Sequence, residues 1–86
     1  MPEVSRFFGI VIAIYFNDHP HSHFHAKYGE HKAKIDIETG LILAGSLPKR
    51  ALGLVEEWRN LRRGELLAVW QEIIERRPHA KIQPLE

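Results

Sequence analysis

Lys32-Ala33-Lys34-Ile35-Asp36-Ile37-Glu38-Thr39-Gly40-Leu41-Ile42-Leu43-Ala44 carries two patterns separated by a turn. From Lys32 to Glu38 polar and apolar residues alternate, with Ala33, Ile35 and Ile37 on one side and Lys32, Lys34, Asp36 and Glu38 on the other. Side chains of a strand point alternately to opposite faces, so this period of two predicts a strand with one face packed and one in water. Glu38-Thr39-Gly40 reads as a turn, and Leu41 to Ala44 as a further strand closing a hairpin.

On the N-terminal side, Ile10-Val11-Ile12-Ala13-Ile14-Tyr15-Phe16 is apolar in both alternating sets, preceded by Gly9 and stopped by Asn17-Asp18. A run of that kind predicts a central strand covered on both faces, with at least two neighbours. Pro20 cannot donate to a ladder and restricts His19, so the next strand is placed from about Ser22 to Lys27 or Tyr28, turned by Gly29-Glu30. An antiparallel meander is expected.

After Leu41 to Ala44 the pattern changes. Ser46 and Pro48 suit a helix start, and Ala51, Leu54, Val55, Trp58 and Leu61 recur at helical spacing. Gly64, following Arg62-Arg63, is a candidate terminator, the alternative being one long kinked helix. Leu66, Leu67, Val69, Trp70, Ile73 and Ile74 resume the stripe as far as Arg76-Arg77-Pro78, and Lys81 to Leu85 is read as a short edge segment. The expected fold is α+β: a small antiparallel sheet of three to four strands followed by two helices packed on one face, as a single domain over residues 1–86.

With 86 residues, 44% hydrophobic and 27% charged, the chain has the make-up of one small globular domain. Its net charge of +1, from 12 basic and 11 acidic side chains, supplies no global field toward nucleic acid or an anionic membrane, so such binding requires a local patch. The absence of cysteine excludes disulfides and thiolate zinc sites. Glu3 and Arg6 precede an apolar run too short for a bilayer and without a cleavage pattern, so a cytoplasmic location and no membrane association are expected. The Arg59, Arg62, Arg63 and Arg76, Arg77 groups are interspersed with glutamates and read as a mixed solvated helix face.

Chemistry concentrates in Asp18-His19-Pro20-His21-Ser22-His23-Phe24-His25-Ala26-Lys27-Tyr28, which holds four of the six histidines. On an extended backbone His23 and His25 project to one side and Phe24 and Ala26 to the other. Imidazole titrates near neutrality and is the commonest metal ligand. Two histidines two apart on a strand can supply part of a tetrahedral zinc site, with Asp18, His19 or His31 to complete it. The same residues suit metal-free phosphodiester cleavage: His23 or His25 for proton transfer, and Arg6, Lys27 or Lys34 to balance phosphate charge. Alternatively the histidines are structural, and Trp58 and Trp70 are core residues.

These residues resemble domain-of-unknown-function family 4160, small bacterial proteins. The likeness runs through Ser5-Arg6-Phe7-Phe8-Gly9-Ile10, Tyr15-Phe16-Asn17-Asp18-His19, His23-Phe24-His25-Ala26-Lys27-Tyr28-Gly29 and Ile35-Asp36-Ile37-Glu38-Thr39-Gly40. It continues through Leu47-Pro48-Lys49-Arg50-Ala51, Trp58, Trp70 and Ile82-Gln83-Pro84-Leu85. His21-Ser22 stands where the family usually has two prolines, and His31 where an aromatic is more usual. Asp18, His19, His23 and His25 therefore are the matching polar positions. The resemblance implies no assigned activity. It does imply a setting, since such proteins are often encoded beside another small protein in an arrangement like a toxin–antitoxin pair.

The leading expectation is an interaction module working with a small protein partner, its histidine edge forming the functional surface. The alternative is a histidine-dependent nuclease or metal-binding phosphodiesterase. Homo-oligomerisation through an exposed strand edge is a further expectation.

Overall fold

The structure, a computed structural model, describes residues 3–15 and 22–86. Five strands, β1 (Glu3–Phe7), β2 (Ile10–Ala13), β3 (His23–Tyr28), β4 (His31–Asp36) and β5 (Ile42–Gly45), precede one helix, α1 (Lys49–Ile74). The strands pair in chain order, each antiparallel to the next. The α+β class and the meander therefore hold, while the expected three to four strands become five.

The extra strand is β1. Phe7 faces Ile10 across a two-residue turn, Phe8-Gly9, in which both residues have positive φ (50° and 79°). Such a turn matches the twist of paired strands, and glycine at the second position makes it accessible. Between Glu3 and Phe7, Ser5 and Arg6 interrupt any apolar run, so composition alone does not mark a strand there. With β1 in place, β2 has the two neighbours its composition called for.

Alternation in the strands then sorts the two faces of the sheet. Ile12, Ala26 and Ala33 stand in one cross-strand row, and Phe24 faces Ile35 in another; all five are buried. Helix α1 covers this side. Trp58, fully buried, packs on Phe7 and Phe24 with ring centroids 5.3 and 5.9 Å away, and its Nε1–H donates to the Gln83 carbonyl at 2.9 Å. A buried indole thus keeps a partner for its one polar atom. The Lys81 to Leu85 segment is fastened by that bond and by Ile82 N–H to the Val4 carbonyl at 2.7 Å, so the chain closes on β1 without adding a strand.

One long kinked helix, the alternative reading, takes the place of the two that were expected. Gly64 lies within it, and the bend comes at Arg62, whose φ and ψ of −116° and 17° are not helical. Leu66, Val69, Trp70 and Ile73 resume burial beyond the bend. Leu61, read as part of the buried stripe, is instead 63% exposed. In its place Arg59 turns inward, at 5% exposure. Its Nη1 donates to the carbonyls of Ile37 (2.9 Å) and Glu38 (3.2 Å), and its Nη2 and Nε bond Glu56. A guanidinium fork can bridge carbonyls and a carboxylate together, tying α1 to the β4–β5 turn. Glu56 holds the Arg59 pKa above its ordinary value, against the opposing effect of burial.

Candidate functional site

Proposed site residues fall into three groups. Asp18 and His19 lie outside the described residues. His23 is buried, 1% exposed, with its ring 5.0 Å from Trp70 at a tilt of 52°. His25, Lys27, Lys34 and Arg6 are at least partly open to solvent.

The burial of His23 follows from the helix bend. The first half of α1 places Trp58 on Phe24, and the second half brings Trp70 against His23, which the strand alternation projects the other way. His25 shares the His23 side, with ring centroids 5.3 Å apart, and meets Tyr15 edge-on at 4.7 Å. The expected division of β3 into one packed and one chemical side therefore applies from His25 onward, while at His23 both sides are enclosed.

Among the described residues no three histidine, aspartate or glutamate side chains converge to hold a metal ion. His31 does not join the pair: the β3–β4 register sets it opposite Tyr28, at the far end of the hairpin from His23, which faces Asp36. Asp36 is committed to the turn, its Oδ1 accepting from the amides of Glu38 and Thr39 at 2.8 and 2.9 Å. The zinc expectation thus depends on Asp18 and His19.

Arg6 is also engaged. Its Nη2 and Nε donate to Glu3 at 2.8 and 3.1 Å, which lowers the Glu3 pKa and raises that of Arg6. Arg6 stands in solvent and Glu3 is partly exposed, so the pair is of small energetic weight.

Two surface features not identified from the sequence stand out. The first is the side of the sheet away from Phe24. Lys27 faces Lys32 and His25 faces Lys34 across β3 and β4, beside Val11 and Ala13 of β2. Lys32 and Tyr15 thereby join the proposed His25 and Lys27 around a concavity floored by β2, and Lys34 borders an adjoining one that His25 and Lys32 share. Alternation had marked Lys32 and Lys34 as outward, but their juxtaposition with Lys27 and His25 depends on register.

The second feature is the outer edge of the sheet. Among the described residues β5 pairs with β4 alone, and every one of its residues is exposed. Leu41, Ile42 and Leu43 form a contiguous apolar run at 64%, 41% and 44% exposure. The close approach of β5 to β4 requires Gly45: its φ is +75°, and a Cβ there would lie 2.1 Å from the Lys32 carbonyl oxygen. No helix is long and apolar enough to cross a membrane among the described residues.

Residues 9–71 match the sequence model of a family described as Domain of unknown function (DUF4160), which takes in β2 to β5 and most of α1. No curated protein and no solved structure matches the chain.

Proposed function

The chain belongs to the DUF4160 family, and from that premise we propose that it is an interaction module that binds a small protein partner at β5, in a pair of toxin–antitoxin type. The carrying observation is the exposed, uncharged, apolar run Leu41-Ile42-Leu43 on a strand with one neighbour among the described residues. An unpaired strand edge offers backbone donors and acceptors to an added strand, and proteins usually blunt such edges with charge or proline. This one carries neither between Leu41 and Ser46. The opposite edge is treated differently: β1 has the charged pair Glu3 and Arg6, and Ile82 bonds Val4 beside it. An apolar extended segment of the partner is the complement that β5 calls for. The functional surface moves accordingly from the histidine edge to β5.

Binding is preferred over histidine-dependent cleavage because general acid–base exchange needs two reachable groups. With Trp70 over His23, His25 is the more accessible imidazole of the pair.

The test is co-expression with the product of the adjacent gene, followed by calorimetry on the purified proteins. Ile42→Lys and Leu43→Lys are expected to abolish binding while leaving the fold intact. Undiminished affinity in both variants contradicts the assignment of β5. A dimer of the chain alone that the same lysines dissolve would give this edge to a second copy instead.

A further inference from the structure

The open face of the sheet is built differently from the β5 edge. Lys27 and Lys32 are directly opposed, as are His25 and Lys34 two register steps away on the same face. Like charges placed opposite one another across strands are destabilising. Among the described residues the ion pairs use Arg6, Arg59, Arg62 and Arg77 and none of the three lysines, although Asp36 shares their face opposite the start of β3. Directly opposed side chains lie about 5 Å apart, and same-face neighbours along a strand about 7 Å. The chain's net charge of +1 thus conceals a cluster of three lysines on one face, with Asp36 and Glu3 at its margin.

A ring adjoins that field. Tyr15, half-buried, stands edge-on to His25 at 4.7 Å, and both line the concavity of about 140 Å³ that Lys27 and Lys32 border. The adjoining concavity, lined by His25, Lys32, Lys34 and Ala44, extends the same surface toward β5. Cations in rows along a sheet face, with an aromatic ring beside them, fit a single nucleic-acid strand: phosphates follow the cations and an unstacked base rests on the ring. An acidic peptide would satisfy the lysines but would make no use of the Tyr15 ring beside them.

We propose that the open face of β2 to β4 binds a single-stranded nucleic-acid segment, with backbone phosphates on Lys27, Lys32 and Lys34 and a base against Tyr15. Its occupant and chemistry are independent of the β5 edge.

Fluorescence anisotropy of a labelled mixed-sequence RNA oligonucleotide with the full chain, in chelator and over a salt series, tests it. Three phosphate contacts predict a log–log salt slope of about −2. Lys27→Gln, Lys32→Gln and Lys34→Gln combined are expected to weaken binding by about tenfold or more, and Tyr15→Ala alone by several-fold, each with an unchanged circular-dichroism spectrum. Arg50→Gln with Arg63→Gln, removing two exposed charges elsewhere, is expected to change little. The proposal is overturned by no binding at low salt, by equal losses in the control variant, or by polyglutamate displacing the probe as effectively as unlabelled RNA.

Discussion

The His23 imidazole lies against the Trp70 indole, centroid to centroid 5.0 Å, and the two rings close the start of β3. His23 is thereby a core residue, although its neighbour two places on, His25, is part of an open face. The motif His23-Phe24-His25 therefore does two jobs: its first two residues pack and its third contributes to a surface.

Removing the His23 ring takes a buried side chain out of contact with Trp70. His23→Ala is expected to destabilise the fold by about 2–4 kcal/mol, against less than about 1 kcal/mol for His25→Ala. Urea denaturation of both variants checks the difference; equal costs would mean that Trp70 does not enclose His23.

Arg59 joins the helix to the β4–β5 turn through Ile37, Glu38 and Glu56. Arg59→Met keeps much of the stem but strands two carbonyls, one of them fully buried in its bond, and is expected to cost about 2 kcal/mol. The turn beneath it should also lose hydrogen-exchange protection, which an effect on the helix alone would not produce.

Gly45 sets β5 against Lys32. In Gly45→Ala the added methyl meets a backbone oxygen at a positive φ, so β5 must move. Loss of stability with faster amide exchange confined to β5 and its neighbour β4 is expected. A neutral Gly45→Ala would show that this close approach is not obligatory.

Glu3 has its pKa lowered by its bonds from Arg6. A carboxylate whose folded-state value is depressed contributes stability above the unfolded-state value and loses it as pH falls through the folded one. Glu3→Gln is therefore expected to melt slightly below the parent at neutral pH, the two converging in acid. A gap that widens on acidification would reverse the sign and contradict the pairing.

Much of this architecture was readable from periodicity. Ala33 and Ile35 were correctly set on the packed side of β4, Ile37 is buried just past its end, and the Ile10 run found its two neighbours. β1 escaped because its identity lies in a turn at Phe8-Gly9 that only pairing makes evident. The helix was placed, but its irregular residue is Arg62 and not the nearby glycine, because glycine permits a break without imposing one. Arg59 looked like one more surface charge; its burial depends on carbonyls supplied by a distant turn. The candidate surfaces were the least legible part. Lys27, Lys32, Lys34 and His25 become one cluster only through the β3–β4 register, and the exposure of Leu41 to Leu43 follows from β5 being last in the sheet. An apolar edge strand and an apolar core strand read alike in one dimension.

The most direct measurement is amide hydrogen exchange of the chain alone and in complex with the product of the adjacent gene. A partner strand added to β5 predicts slower exchange in Ile42–Gly45, with β1 unchanged. Protection confined to α1 or to β1, with β5 exchanging as in the free chain, would contradict the assignment of that edge.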